Sequence, residues 1–472
     1  MNSLVSRFSI VLCSVVFLFS CGEKEEAPAS LQLSTEEIRA AASGGTFNLA
    51  IASNVSWKVI LTGDWVEASP AEGFGDEEVI FSVKENSDEA VRSLDIRVTG
   101  GGIVRTLTVS QAAAEPEFPS YHIPADHTGM RDISSLELAA DMGVGWNLGN
   151  SLEAIGGETA WGNPKVTQAL IDQIQAAGFN AVRIPVAWSK FANATDFTID
   201  PAWMARVQEV VDYVVGKGMY AVLNQHWDEG WMQPTYAQQA YVNGRLEKMW
   251  IQIALHFRHY DDHLLFAGTN EVMVTGDYGT PKAEYYTVQN SFNQTFVEAV
   301  RSTGGRNAHR NLVVQTFNTN IDHGINFFAL PEDATDDRLM VEVHYYDPYE
   351  FVLKEEGGAS QWGKNATDPV RKAAWGDESH VDAQFKKLKG KFVDQGIPVL
   401  VGEYGVISRT ALSDHEQYRK DYLDYVSASM KAHGLVPFYW DNGHAGNYGF
   451  ALFDRNTGTQ LYPDLIRAIV GK

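Results

Sequence analysis

The sequence predicts an α/β barrel preceded by a small all-β sandwich, and three observations predict it. Between residues 31 and 113, short segments of alternating polar and apolar residues are separated by Gly, Asn, Asp and Pro. This is the period-two pattern of strands with one buried face. From residue 128 to 472, eight short apolar runs alternate with amphipathic stretches at helical spacing. That is the pattern of repeated strand–helix units whose strands are covered on both faces. Finally, a chain of 472 residues, 44% hydrophobic and with 12 Trp, is long and apolar enough for two cores.

The first 21 residues read as a processing segment rather than as fold. Arg7 precedes an apolar stretch over 8–19 that is too short to span a bilayer, and it ends in Leu18-Phe19-Ser20-Cys21-Gly22. This resembles a bacterial lipoprotein signal with Cys21 as the lipidated residue. The following Glu23-Lys24-Glu25-Glu26 resembles the surface-export signal of Bacteroidota lipoproteins. The resemblance implies an outer-membrane lipoprotein exposed at the cell surface, touching the membrane only through its lipid. The alternative is a cleaved signal and a periplasmic or secreted protein. The other cysteine, Cys13, lies inside the apolar stretch, so the mature chain has no cysteine pair and relies on core packing. A net charge of -23 argues against a nucleic-acid partner, since phosphate binding needs a basic surface.

Residues 22–30 read as a tether. Thr46-Phe47-Asn48-Leu49-Ala50-Ile51, Trp57-Lys58-Val59-Ile60-Leu61, Glu78-Val79-Ile80-Phe81-Ser82-Val83 and Val104-Arg105-Thr106-Leu107-Thr108-Val109 alternate as strands of an immunoglobulin-like sandwich over 31–113. Ser43-Gly44-Gly45-Thr46, Ser56-Trp57, Asp64-Trp65-Val66, Ser69-Pro70 and Leu107-Thr108-Val109-Ser110-Gln111 give this segment a resemblance to a BACON domain. Trp57 and Trp65 are read as core or edge aromatics in preference to sugar platforms. Residues 114–127, rich in Ala, Glu and Pro, read as a linker.

In the remainder, strands are expected over 143–148, 181–185, 221–224, 264–268, 311–316, 339–343, 399–402 and 436–439. Helices are expected over 167–177, 202–215, 246–260, 287–302, 381–394 and 416–433. Eight such units make a (β/α)8 TIM barrel over 128–472, whose functional residues belong at the C-terminal strand ends. Those ends carry Asn147, Arg183, Asn224-Gln225-His226-Trp227, Asn270-Glu271, His344-Tyr345-Tyr346, Glu403 and Trp440-Asp441-Asn442. Glu271 and Glu403 supply the two carboxyl groups that glycosidic cleavage needs, one to hold a proton and one to stay ionised. Arg183 is suited to hold the nucleophile ionised, Tyr346 to donate a hydrogen bond to it, and Trp440 to offer a flat face to a sugar ring.

Taken together, Arg183-Ile184-Pro185, His226, Asn270-Glu271, His344-Tyr345-Tyr346, Glu403 and Trp440 resemble the pattern of glycoside hydrolase family five. Gly145-Trp146-Asn147-Leu148-Gly149-Asn150, Trp161-Gly162-Asn163-Pro164 and Trp440-Asp441-Asn442-Gly443 resemble its fourth subfamily. The resemblance implies a retaining endo-β-1,4-glucanase with Glu271 as acid/base and Glu403 as nucleophile. Arg183, His226, His344 and Tyr346 would orient the carboxylates, with Asn270 on the substrate 2-hydroxyl and Asn147 and Trp440 as further substrate-binding residues. The expected partner is a β-glucan polysaccharide, cellulose or mixed-linkage glucan, with xyloglucan or glucomannan as alternatives. A surface glycan-binding protein without catalysis is the non-enzymatic alternative. No cofactor or metal is expected, and a monomer is. Val272 stands where the family usually has Pro after the acid/base. His256, His259, Asp262 and His263 have metal-like spacing but fall before the fourth strand, on the face away from the site. Trp188, Trp227, Trp231, Trp362 and Trp375 fall in loops on the active face, where stacking on sugars and packing are both open.

Overall fold

The computed structural model describes residues 28–88, 90–113, 121–226 and 229–471, so Cys21 and Trp227 lie outside the described residues. The chain divides into two compact units, residues 1–119 and 120–472.

The first unit is a two-sheet sandwich. Its strands are β1 (Leu31–Leu33), β2 (Glu37–Ala40), β3 (Gly45–Ser53), β4 (Ser56–Ile60), β5 (Val66–Ser69), β6 (Glu72–Phe74), β7 (Glu77–Val83), β8 (Arg92–Gly100) and β9 (Ile103–Gln111). The sheets run β1-β3-β7-β5 and β2-β9-β8-β4-β6. Alternation decides the core: Leu49, Ile51, Val79 and Phe81 meet Trp57, Val59, Ile96, Val98, Leu107 and Val109 between the sheets. Trp57 is only 2% exposed, and its indole N–H donates to the Gly75 carbonyl at 3.0 Å, so it is a core residue. Trp65 packs at the core edge beneath the Arg92 guanidinium, 4.5 Å from the ring centre.

The second unit is a closed parallel barrel of β10 (Gly145–Leu148), β11 (Ala181–Ile184), β12 (Tyr220–Asn224), β13 (Leu264–Ala267), β14 (Leu312–Gln315), β15 (Leu339–Tyr345), β16 (Val399–Tyr404) and β17 (Leu435–Asp441). Each matches an expected strand within a couple of residues, and β17 pairs back onto β10 with Trp440 beside Asn147. The interior changes character along each strand. Ala181, Val222, Val313, Met340, Leu400 and Phe438 form its lower layers, closed underneath by Leu138, Ala139 and Met142 of the helix Ser135–Met142. Two residues further along, the same inward face carries Arg183, Asn224, Gln315, Glu342, Gly402 and Trp440. Gly145 leaves room for Phe438, whose ring would lie 2.1 Å from an added Cβ.

Two expectations are corrected. The helix expected over 246–260 runs Tyr236–His256. Its first turns lack an apolar stripe and pass unnoticed by periodicity, while buried Arg310 donates to the carbonyls of Phe257 and Tyr260 and stops it earlier. Residues 121–127 are not free linker. Ile123 bridges Gly304 and the Asp126 amide donates to the Gly305 carbonyl at 3.1 Å. Gly304 permits this approach, since a Cβ there would sit 1.8 Å from the Ile123 oxygen. Residues 114–120 lie outside the described residues.

Candidate active site

Strand geometry brings the two carboxylates together. In the pairing of β15 with β16, Val343 opposes Val401 but His344 opposes Glu403, leaving Gly402 as an extra residue. Such a β-bulge re-aims the side chain that follows it. Glu403 thereby turns inward, while Tyr404 turns out to share a hydrogen bond with Ser427 at 2.7 Å. Glu271 sits in the loop beyond β13. Gln315 receives hydrogen bonds from the Thr269 amide and hydroxyl at 2.9 and 3.0 Å. Val272 holds the loop where a proline is usual: its amide donates to Asn270 O at 3.1 Å, a bond proline cannot make, and its carbonyl accepts from Asn318 N at 2.9 Å.

Arg183 is the hub. Its Nη1 donates to Glu403 Oε1 at 2.9 Å and to Asn147 Oδ1 at 3.0 Å. Its Nη2 donates to Asn270 Oδ1 at 2.6 Å and pairs with Glu342 Oε1 at 2.9 Å. Tyr346 donates its hydroxyl to Glu403 Oε2 at 3.1 Å. His344 Nδ1 lies 2.7 Å from Glu271 Oε1 and 3.6 Å from Glu403 Oε2, while its Nε2 lies 3.2 Å from Glu342 Oε1. One oxygen of Glu271, one of Glu403 and a His344 ring nitrogen fall within 4.8 Å of one another. This close approach fits the short carboxyl separation of a retaining pair, about 5–5.5 Å.

The environments differ. The Glu271 side chain is 44% exposed and that of Glu403 is 7% exposed. Burial raises the Glu271 carboxyl, but the hydrogen bond and charge of His344 outweigh it and hold Glu271 below the ordinary carboxylate value. Burial also pushes Glu403 up, and with the Glu271 and Glu342 charges it leaves this carboxyl above the ordinary value, although the charges of His344 and Arg183 oppose the shift. The hydrogen bonds from Arg183 and Tyr346 favour the ionised form that a nucleophile needs. Burial lowers His344, yet the Glu403 charge and the bonds to Glu271 and Glu342 push it up to about 9.

Arg183, Asn270, His344, Tyr346, Glu271 and Glu403 therefore converge as expected from the strand ends. Asn147 does not serve as a substrate ligand. It is fully buried, accepting from Arg183 and donating to the Gly402 carbonyl at 2.8 Å, so it braces the nucleophile strand from below. His226 is not paired with either carboxylate. It contacts Asn224 Nδ2 at 3.1 Å and stacks parallel to Trp440 with centroids 5.8 Å apart, steadying that indole; burial keeps its imidazole neutral. Two residues escaped the sequence reading, Glu342 and Gln315, joined by a 2.8 Å hydrogen bond. The available signal was a carboxylate at the inward position two before His344, inside an otherwise apolar strand.

A cavity of about 610 Å³ lies beside Glu271, walled by Trp231, Val272, Tyr278, Ile321 and Asp347. A second, of about 570 Å³, is lined by Asn150, Trp161, Asn163, Asn442 and Tyr448, from loops after the first and last barrel strands and their neighbours. Of the loop tryptophans, Trp188 and Trp362 are core residues donating to the Asn224 and Gly376 carbonyls. Trp231 faces the larger cavity, and Trp375 is exposed and donates to Glu350. Away from the site, Asp262 pairs with Arg131 and His256 with Gln208.

Comparisons with known proteins agree with this geometry. The family model described as cellulase, glycosyl hydrolase family 5, matches residues 147–446. The model described as BACON, a putative N-terminal binding domain, matches residues 37–112. A xyloglucan-specific endo-beta-1,4-glucanase of Bacteroides ovatus is 39% identical over 98% of this chain and 95% of its own. Endoglucanase A of Paenibacillus barcinonensis is 40% identical over 76% of this chain and 94% of its own. Among solved structures, a Bacteroides ovatus xyloglucanase in complex with a heptasaccharide superposes with a TM-score of 0.72 at 38% identity, covering 94% of this chain and 99% of that one. A broad-specificity endoglucanase from Clostridium acetobutylicum gives 0.66 at 38% identity over 72% of this chain and all of that one. Carrying a BACON domain ahead of its barrel, this chain belongs to glycosyl hydrolase family 5.

Proposed function

We propose that the protein is an endo-acting β-1,4-glucanase that works by double displacement. The single observation carrying this reading is the close approach of Glu271 and Glu403, bridged by His344 and backed by Arg183. In the first step Glu403 attacks C1 while Glu271 protonates the departing oxygen. In the second, Glu271 takes a proton from water as it attacks the glycosyl–Glu403 ester. Asn270 lends its Oδ1 to Arg183, which leaves its amide NH2 for a substrate hydroxyl in the cavity it lines. Because the acid lies on the leaving-group side, the departing part of the chain occupies the cavity beside Glu271. A cavity beside Glu271 and a second one lined by the loops that follow the first and last barrel strands support cleavage within a chain rather than at its end.

The first reading of the substrate is an unbranched β-1,4-glucan. A second reading, xyloglucan, is favoured by the Bacteroides ovatus relative, whose similarity extends through both modules. Product sizes from carboxymethyl cellulose, barley β-glucan, tamarind xyloglucan and glucomannan test both. Mid-chain fragments from the unbranched glucans support the first, and a clear preference for xyloglucan selects the second. The leader residues up to Cys21 support attachment to the outer surface of the cell by a lipid. Protease accessibility on intact cells, with Cys21→Ala released to the soluble fraction, is the corresponding test.

A further inference from the structure

Glu342 takes no part in the steps above and has no route to substrate, since its side chain is fully buried. It is nonetheless densely bonded, accepting from Gln315 Nε2 at 2.8 Å, pairing with Arg183 Nη2 at 2.9 Å and lying 3.2 Å from His344 Nε2. Its space is reserved from the neighbouring strand: a Cβ at Gly402 would sit 2.0 Å from Glu342 Oε1. A buried carboxylate is costly unless paired, and the guanidinium it pairs with is shared with Glu403. The arrangement therefore calls for a purpose beyond packing.

That purpose follows from the two nitrogens of His344. The charged and titratable groups facing this ring are Glu342 from its own strand, Glu403 from β16 and Glu271 from the loop after β13. The His226 ring lies near enough for its burial-neutral imidazole to feel the His344 charge, and Arg183 and Tyr346 act on the ring through Glu342 and Glu403. An anion at Nε2 requires an N–H there whether the ring is neutral or charged. Nδ1 is then the one ring position whose protonation changes, and it lies 2.7 Å from Glu271 Oε1.

We propose that Glu342 is a positioning residue that fixes His344 as the Nε2–H tautomer, making Nδ1 the reservoir of the proton that Glu271 gives to the leaving group. In the resting site the charged ring donates Nδ1–H to ionised Glu271. As the first step proceeds, that proton passes to Glu271 and on to the glycosidic oxygen, the C1–O bond breaks and the C1–Glu403 bond forms. In the second step water attacks C1, the ester breaks, and the proton that water loses returns through Glu271 to Nδ1. Three carboxylates and two cations then share one mobile proton, and the cycle closes.

This inference rests on Glu271 being the acid/base, and its test separates the two. In Glu342→Gln, kcat/KM on a soluble glucan falls by about 10²-fold and the alkaline limb of its pH profile moves to lower pH. On 2,4-dinitrophenyl β-cellobioside, whose leaving group needs no proton, kcat/KM changes by less than about threefold. Glu342→Asp restores part of the loss. Equal losses on both substrates, or an unmoved alkaline limb, overturn the proposal. Glu271→Gln on the same pair of substrates shows the selective loss if the acid/base reading is right; equal losses there strike that reading, and this inference with it. 15N NMR of histidine-labelled full-length protein, with the His344 signals assigned by their loss in His344→Gln, shows both ring nitrogens protonated below about pH 9 and, once the ring is neutral above that pH, the remaining proton on Nε2. A neutral Nδ1–H tautomer overturns the proposal.

Discussion

Arg183 and Glu403 stand 220 positions apart in the chain, yet Arg183 Nη1 donates to Glu403 Oε1 at 2.9 Å in a buried contact. The guanidinium also reaches Asn147, Asn270 and Glu342, so one rigid fork sets the nucleophile, the amide beside the acid/base and the carboxylate beneath them. Lysine offers a single point of charge and cannot reproduce that fork.

Arg183→Lys therefore keeps the positive charge but loses the geometry. We expect kcat on a soluble glucan to fall by about 10²-fold, the scale of a misplaced reacting group. KM changes little, because Arg183 is buried and touches no sugar. Steady-state kinetics, with far-UV circular dichroism as a folding control, check this.

His344 makes stability depend on pH. Its folded value of about 9 lies above the ordinary 6.5. Its contribution is fully present below about pH 6.5 and is lost as pH rises through about 9. The melting temperature of the wild type should fall over that window, and His344→Asn should flatten the fall. Thermal scans across the range measure it.

Trp440 is held parallel to His226, and its strand closes the barrel against Asn147. Trp440→Ala removes the flat floor proposed for the sugar, and the expected loss is mainly in KM, about 3–10-fold, the scale of an aromatic contact. His226→Ala lets the indole tilt and produces a smaller change in the same direction. Initial rates on cello-oligosaccharides measure both.

In the sandwich, Trp57→Ala opens a cavity between the sheets and costs about 3–5 kcal/mol. Denaturant unfolding of residues 28–113 reads the loss.

Much of this site was legible in the strand ends, because a parallel barrel gathers the C-terminal ends of all its strands on one face. Glu271, Glu403, Arg183, His344 and Tyr346 each followed an apolar run, and they do meet. Asn147 was misassigned because position at a strand end does not say whether a side chain points up to the cleft or sideways to a neighbour; here Arg183 and the Gly402 carbonyl claim it. His226 was misassigned for a related reason, since its ring turns to Trp440. Glu342 lay in the middle of an apparent apolar strand, where its meaning depends on an arginine more than a hundred residues away. The Gly402 bulge was equally hidden, as register between strands is a tertiary property.

The central claim is that Glu403 forms the covalent bond to sugar, and the most direct test is to trap it. Incubation with 2,4-dinitrophenyl 2-deoxy-2-fluoro-β-cellobioside, followed by peptide mass spectrometry, should find the fluorinated sugar on the peptide containing Glu403, through that carboxylate. A label on Glu271, or turnover to an inverted product with no adduct, would contradict the account.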